Sequence, residues 1–95
     1  MLYINFGNTG LVVSRMPFGA MTFGQGPLVG DLVNNIDQNV ADQMVGIALD
    51  AGINCFDTAD MYTDGNSEII AGKALKGKRD GVVLATKVGN QVGPY

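Results

Sequence analysis

The chain carries the sequence GINCFDTADMY at residues 52–62, and this stretch places a strand, a carboxylate and a phenol in close succession. It opens with Gly52, which is positioned to adopt the left-handed conformation just past the end of a helix. Residues 53–56 predict a short strand that closes at Asp57. A loop predicted over residues 58–65 follows the strand and contains Tyr62.

Two helices flank this stretch. Residues 41–50 predict the first, because their apolar residues recur at the spacing of one helical face. The second is predicted to begin with Asn66 or Ser67 as its N-cap, with Glu68 in the first turn, and to end at Gly77. We expect the inner face of this second helix to consist of Ile69, Ile70, Ala74 and Leu75.

The remaining segments alternate with these helices. Residues 1–15 predict a hairpin, because two β-prone runs surround a glycine-containing turn, and a short strand follows that ends at Gly19. Residues 23–39 are punctuated by glycine, proline and asparagine, which favours a loop. The continuous apolar run at residues 82–85 predicts a strand buried on both faces. The order hairpin, strand, helix, strand, helix, strand indicates an α/β fold with a parallel sheet.

Three polar residues fall at one rim of this predicted sheet. Asp57 and Lys87 each follow a strand, and Tyr62 lies in the loop between them. Ligands bind at the carboxyl ends of the strands in such folds, which makes Asp57 and Lys87 candidates for an ion pair there. An ammonium beside a tyrosine favours the phenolate and makes the side chain a better proton donor to a carbonyl oxygen. From these residues alone a purely structural interpretation stays open, with Asp57 capping a turn, Lys87 solvated and Tyr62 packed on the surface.

The composition argues against several classes of function. The chain has 95 residues, of which 46% are hydrophobic, and a formal net charge of −3, which is too apolar and too weakly charged for a disordered tail. With 6 basic residues against 9 acidic ones, it has no basic footprint for nucleic acid. One cysteine and no histidine argue against a disulfide framework and a zinc site. No apolar run is long enough to cross a membrane, and we expect one cytoplasmic domain.

Glycine and cysteine offer no alternative site. Neither Gly7-x-x-Gly10 nor Gly24-x-Gly26 matches the dinucleotide fingerprint, which requires G-x-G-x-x-G directly between a strand and a helix. Cys55 is flanked by apolar residues, and no histidine is present to activate it. We therefore interpret Cys55 as a buried small hydrophobe rather than a nucleophile.

Residues 52–62 resemble the first sequence signature of the aldo-keto reductases. The remaining matches to that family are GNSE at residues 65–68, Gly72, Ala74-Leu75, Thr86-Lys87, residues 10–15 and residues 18–21. The resemblance implies a partial (β/α)8 TIM barrel with an N-terminal β-hairpin. Residues 1–15 would form the hairpin and residues 16–95 the first barrel units.

The resemblance also implies an activity: the NADPH-dependent reduction of small aldehydes and ketones to alcohols, with no metal. Tyr62 matches the proton donor of the family, and Lys87 matches the lysine that makes this tyrosine a stronger acid. Asp57 matches the carboxylate paired with the lysine, which in this family also lies against the nicotinamide ribose. The loop that approaches the nicotinamide corresponds to Gly19, Ala20 and Met21.

Two departures from the family bear on activity. Its fourth catalytic residue is a histidine downstream of the lysine, and this sequence contains none. A complete barrel needs about 250 residues, so we expect the N-terminal portion of a longer reductase, inactive and weakly folded by itself, with residues 82–85 at an open edge. One alternative is a non-catalytic regulatory subunit of the same fold, which binds cofactor and a membrane-protein partner. Another is a small stand-alone α/β binding module.

Overall fold

The N-terminal segment forms an antiparallel hairpin, β1 (Tyr3–Asn5) and β2 (Val12–Ser14), as the sequence predicts. The computed structural model describes residues 1–29 and 32–92. The elements that follow are β3 (Phe18–Gly19), β4 (Gly24–Val29), β5 (Leu32–Ile36), α1 (Gln38–Asp50), β6 (Cys55–Asp57), α2 (Asn66–Ala74) and β7 (Val83–Ala85).

A three-stranded parallel sheet lies at the centre, with β6 between β3 and β7. Phe18 and Gly19 pair with Phe56 and Asp57, and Asp57 also pairs with Ala85. The two helices return the chain to the start of the next strand, as parallel pairing requires. All three strands therefore finish at the same edge of the sheet.

The core fills the space between this sheet and the two helices. The Phe18 ring packs in a tilted arrangement against both Phe23 and Phe56, with ring centroids 5.5 Å apart in each pair. From the helices, Val45 and Leu75 are fully buried against this aromatic group. Each such side chain contributes about 1.5–3 kcal/mol through burial, so this cluster supplies much of the driving force for folding.

The prediction of a loop over residues 23–39 is wrong, because most of this segment forms the antiparallel strand pair β4 and β5. The glycines that favoured a loop lie within a strand, where Gly24 and Gly26 take φ angles of 106° and 128°. A hairpin signal was present in the sequence, since the dipeptide Gly30-Asp31 separates two apolar, β-prone pairs. The structure of residues 30 and 31 lies outside the described residues.

Both helices begin differently from the prediction. Helix α1 starts at Gln38, three residues before the predicted start, because the Asp37 carboxylate accepts a hydrogen bond from the Val40 N–H and caps the first turn. Helix α2 has Gly65 as its N-cap, with no side-chain cap, so neither Asn66 nor Ser67 holds that position.

The predicted burial of two elements also needs correction. Ile69, assigned to the inner face of α2, is 57% exposed, and Ser67 and Ala71 are buried in its place. Strand β7 is not buried on both faces: Val83 and Leu84 are half-buried and Ala85 is exposed. Among the described residues, no strand pairs with the outer edge of β7, so this strand has a neighbour on one side only.

The hairpin is fastened to the start of β6. The Asn54 side chain accepts a hydrogen bond from the Ser14 N–H (2.7 Å) and donates one to the Val12 carbonyl oxygen (3.0 Å). The Tyr3 hydroxyl donates to the Gly52 carbonyl oxygen over 2.7 Å. These bonds place β1 and β2 at the end of the sheet opposite Asp57, so the hairpin covers one end and leaves the other open.

Gly52→Ala and Gly46→Ala are expected to change stability in opposite directions. Gly52 has a φ of +91°, and a Cβ there would lie 2.8 Å from the Tyr3 hydroxyl oxygen. The left-handed conformation alone should cost an alanine about 1–2 kcal/mol of unfolding free energy. Gly46 lies within α1, where a Cβ meets nothing outside the helix, so alanine should add about 1 kcal/mol. Urea unfolding followed by circular dichroism measures both, and equal effects would contradict the assignment of Gly52 to the left-handed position.

Candidate active site

The open rim of the sheet is ordered by backbone hydrogen bonds that continue past the strands. The Ala20 N–H donates to the Asp57 carbonyl oxygen, and the Thr58 N–H donates to that of Ala85, each over 2.9 Å. One step further, the Asp60 N–H donates to the Lys87 carbonyl oxygen over 3.1 Å. The rim is the position at which parallel α/β folds bind ligands.

Lys87 lies at the centre of this rim. Its Nζ atom donates to both carboxylate oxygens of Asp57, at 2.9 and 2.8 Å, and to the Thr58 carbonyl oxygen at 2.9 Å. The Tyr62 hydroxyl oxygen lies 3.4 Å from the same nitrogen, which is also 5.1 Å from the centre of the Tyr62 ring. The structure therefore brings together the three residues that the sequence singled out, Asp57, Tyr62 and Lys87.

The opposite charges of Lys87 and Asp57 balance each other, and both side chains are exposed to water. The hydrogen bond that Lys87 donates to Asp57 holds the pKa of Lys87 above its ordinary value of 10.5, and the contact with Tyr62 acts in the same direction. Partial desolvation of the ammonium opposes this rise. The Lys87 and Asp57 side chains are 51% and 40% exposed, so solvent screens their attraction.

The contact between Lys87 and Tyr62 has a fixed hydrogen-bond direction. An ammonium group can only donate, so the Tyr62 oxygen accepts from Lys87. The phenolic hydrogen is then available to an acceptor on the other side of the oxygen. The Tyr62 side chain is half-buried, which leaves its hydroxyl accessible from the open rim.

Buried hydroxyl groups attach the Tyr62 loop to the segment after β3. The Ser67 hydroxyl donates to the Ala20 carbonyl oxygen over 2.6 Å and lies 2.9 Å from the Thr58 hydroxyl. The Thr63 hydroxyl donates to the Phe23 carbonyl oxygen over 2.6 Å. Sequence reasoning missed these hydroxyls, because their partners belong to segments distant in sequence and single serines or threonines form no recognisable pattern.

A second set of contacts holds the segment that carries Lys87. The Thr86 hydroxyl donates to the Glu68 carboxylate over 2.8 Å, which connects the end of β7 to the first turn of α2. The Asn90 side chain lies 3.0 Å from the Met61 sulfur. Through these contacts the residues on either side of Lys87 are joined to the loop and helix on either side of Tyr62.

Three of the predicted cofactor residues lie beside Asp57 and differ in their exposure to solvent: Gly19, Ala20 and Met21. Gly19 is exposed, and an added Cβ there would meet no atom within 4 Å, so space is open above it. Met21 is also exposed. The Ala20 side chain is buried, which restricts any contact with a ligand to its backbone. Gly19, Met21 and Asp57 therefore border an open part of the rim that a nicotinamide and its ribose could occupy.

The Cys55 thiol lies in the strand that leads to this rim. Burial raises the pKa of the Cys55 thiol, and the nearby Asp57 charge raises it further, so the thiol stays protonated. The side chain is half-buried rather than fully buried as the sequence suggested.

Within residues 1–29 and 32–92, no group of three His, Cys, Asp or Glu side chains could hold a metal ion. Neither described helix has the length and hydrophobicity of a membrane-spanning segment.

The Asp57→Asn change should lower the pKa of Lys87, because it removes the interaction that contributes most to the rise. A raised lysine pKa stabilises the fold below the ordinary value, and this contribution is lost as the pH rises through the raised value. The variant should therefore show a smaller loss of stability across that alkaline range. NMR titration of the lysine ε-carbons measures the pKa, with Asp80→Asn as the control. An unchanged Lys87 titration in Asp57→Asn would contradict the assigned cause.

Comparisons with known proteins agree on one family. The Aldo/keto reductase family model matches residues 15–95. Aldo-keto reductase YhdN of Bacillus subtilis is 40% identical over 89 residues. A protein of Oryza sativa named "Probable voltage-gated potassium channel subunit beta" is 37% identical over 92 residues. The solved structure of aldo-keto reductase AKR11C1 from Bacillus halodurans, in its holo form, superposes with a TM-score of 0.80 at 40% identity.

The matches take in nearly all of this chain but only part of each relative. They cover 92% of the chain against the Bacillus subtilis protein, 93% against the Oryza sativa protein and 96% against the Bacillus halodurans structure. The corresponding shares of those relatives are 25%, 25% and 27%, so the chain spans about a quarter of their length. Because the family model matches most of the sequence, the chain belongs to the aldo/keto reductase family.

Proposed function

We propose that this chain provides the proton-donating part of the active site of an NADPH-dependent carbonyl reductase. The observation that carries the proposal is the convergence of Asp57 and Tyr62 on the Lys87 ammonium at the open rim of a parallel sheet. A lysine that has a raised pKa and is paired with a carboxylate at such a rim is a recognised mark of functional sites. Membership of the aldo/keto reductase family supports reduction of an aldehyde or ketone as the reaction.

In this mechanism Tyr62 is the general acid. Its hydroxyl donates a proton to the carbonyl oxygen of the substrate as negative charge develops there, which completes the alcohol. The phenolate left on Tyr62 is stabilised by the Lys87 ammonium, 3.4 Å away. Asp57 keeps that ammonium charged and fixed in position. When bound, NADPH supplies the hydride for the carbonyl carbon.

The residues that border the open rim fit a nicotinamide cofactor. The Asp57 carboxylate accepts hydrogen bonds and its side chain is 40% exposed, which suits the hydroxyls of a ribose. The space above Gly19 admits a flat ring close to the backbone. Exposed Met21 adds apolar surface next to it. Gly19, the backbone of Ala20, Met21 and Asp57 would together hold the nicotinamide end.

A regulatory subunit of the same fold is a second candidate. One observation favours it: the 37% identity to the Oryza sativa protein whose name describes a potassium channel subunit. Such a subunit would bind NADPH through the same rim without relying on proton transfer by Tyr62. The two candidates therefore differ in whether removing the Tyr62 hydroxyl has a chemical consequence.

The Tyr62→Phe change should abolish reduction while leaving NADPH binding intact. The test uses a hybrid protein in which this chain replaces the matching quarter of the Bacillus subtilis relative. Loss of the general acid should lower turnover of a small aldehyde by about 10²–10⁴-fold, because proton transfer typically contributes that factor. Consumption of NADPH measures turnover, and the fluorescence of the bound dinucleotide measures binding.

Tyr3→Phe is the matched control for this experiment. It removes a phenolic hydroxyl of the hairpin, whose bond to the Gly52 carbonyl lies at the opposite end of the sheet. Turnover in this variant should equal that of the unsubstituted hybrid. Full turnover in Tyr62→Phe would refute its role as the proton donor. A hybrid that binds NADPH but reduces no aldehyde or ketone would favour the regulatory candidate.

The 95-residue chain by itself is expected to show no reductase activity. It supplies three strands of the parallel sheet, and its matches span about a quarter of the relatives' length. We expect the remaining contacts to NADPH to come from parts of the barrel that correspond to the other three quarters. Incubation of the purified chain with NADPH and a panel of aldehydes checks this. NADPH consumption above the rate without protein would contradict it.

A further inference from the structure

The residue that follows the proposed proton donor has an unusual backbone conformation. Thr63 has φ and ψ angles of 51° and 43°, and Asp64 has 54° and 38°. Left-handed conformations are disfavoured for residues with a Cβ, and most of all for β-branched residues such as threonine. They are the only two non-glycine residues with positive φ in the described part of the chain. A strained pair next to Tyr62 needs a contact that holds it in place.

The Thr63 side chain makes such a contact. Its hydroxyl donates to the Phe23 carbonyl oxygen over 2.6 Å, and the side chain is 4% exposed. Phe23 is itself fully buried, and its ring packs at 5.5 Å from that of Phe18 in the core. The strained turn is therefore joined to the aromatic core through a short, buried hydrogen bond.

The neighbouring strand leaves room for this arrangement. A Cβ at Gly24 would lie 3.0 Å from both the Cβ and the Cγ2 of Thr63, so the glycine permits the threonine to pack directly on the backbone. Gly24 begins β4, and its own φ of +106° suits glycine. The Thr63 side chain thus occupies a pocket between the Tyr62 turn and the start of β4.

This arrangement bears on catalysis because Tyr62 and Lys87 are held by different elements. Lys87 follows β7 and is bonded to Asp57 and to the Thr58 carbonyl. Tyr62 lies in a short turn between β6 and α2, so the bonds that hold this turn determine where the Tyr62 ring lies. The 3.4 Å contact between the two side chains therefore requires that the turn be fixed relative to the sheet.

We propose that Thr63 is a positioning residue, whose hydroxyl holds Tyr62 beside Lys87 by bonding the strained turn to the Phe23 carbonyl. The significance for proton donation rests on the proposed function, in which Tyr62 is the general acid. The positioning itself does not, since it concerns the geometry of two side chains in the absence of substrate. The hydroxyl, rather than the methyl group of Thr63, carries the role.

The test measures the ring-current shift of Lys87 by NMR in the hybrid protein in which this chain replaces the matching quarter of the Bacillus subtilis relative. Because the Lys87 Nζ lies 5.1 Å from the centre of the Tyr62 ring, the ring displaces the resonances of the adjacent ε-methylene protons. Lysine labelled with carbon-13 makes these protons visible, and Lys87→Arg assigns them. Tyr62→Leu removes the ring and gives the resonance position without it.

Three substitutions at Thr63 separate the hydroxyl from the shape of the side chain. Thr63→Val keeps the branched shape and removes the hydroxyl, so the Lys87 resonance should move to the position seen in Tyr62→Leu. Thr63→Ser keeps the hydroxyl and should retain the resonance of the unsubstituted hybrid. Thr63→Ala removes both the hydroxyl and the strain of the β-branch, so it tests the same point if Thr63→Val unfolds. Amide spectra of the core around Val45 and Phe56 verify folding in each case.

The remaining outcomes overturn the proposal. A retained ring-current shift in folded Thr63→Val or Thr63→Ala would show that the hydroxyl is dispensable. Loss of the shift in folded Thr63→Ser would assign the role to the methyl group. An identical Lys87 resonance in the unsubstituted hybrid and in Tyr62→Leu would remove the contact on which the proposal depends. None of these measurements involves turnover, so they stand or fall independently of the Tyr62→Phe experiment.

Discussion

The parallel register of β6 between β3 and β7 is the constraint on which the open rim depends. Successive side chains of a strand point to opposite faces, so a slip of one residue would reverse the direction of every side chain that follows. The hydrogen bonds from Ala20 to Asp57 and from Thr58 to Ala85 extend the register beyond the strands. They place Asp57 beside Ala85, two residues before Lys87, and the Lys87 ammonium contacts both oxygens of the Asp57 carboxylate.

Strands this short have too few backbone hydrogen bonds to fix the register by themselves. Hydrogen bonds from buried hydroxyl groups help to fix it. Strand β3 has two residues, and β6 and β7 have three each. Ser67, which is fully buried, joins the first turn of α2 to the Ala20 carbonyl, next to the last pair of β3 and β6. No buried side-chain nitrogen or oxygen lacks a hydrogen-bond partner in the described part of the chain. A satisfied polar network of this kind specifies one arrangement, whereas an apolar contact tolerates sliding.

The sequence predicted the placement of Asp57 and Lys87 at the rim, for a physical reason. Asp57 and Lys87 stand at the ends of apolar runs, and an apolar run in a parallel sheet ends where the rim begins. The position of a strand end is therefore encoded locally. Helix α1 and the N-terminal hairpin were predictable on the same basis, because the periodicity of apolar residues and the turn residues are local signals as well.

Other features depend on contacts that no local pattern contains. The hydroxyls of Thr63 and Ser67 bond to carbonyls 40 and 47 residues away, and either side chain could equally have capped a turn. Ser67 was predicted as a possible N-cap for that reason, and its tertiary partner decides otherwise. The strands β4 and β5 were missed because Gly24 and Gly26 are common in loops. Here Gly24 makes room for a packed side chain, which only the fold reveals.

The hydrogen bonds of Lys87 also show how the site can tolerate the loss of water. In the open rim, solvent screens the attraction between Lys87 and Asp57. A bound ligand that removes this water strengthens the attraction. Removal of the water also raises the free-energy cost of any charge that has no partner. An ammonium has three N–H groups to satisfy. Lys87 meets the two oxygens of Asp57, the carbonyl of Thr58 and the hydroxyl of Tyr62, so acceptors for every N–H come from the protein. Covering the rim therefore leaves no donor of the ammonium unpaired, and the charge that faces Tyr62 persists when water is excluded.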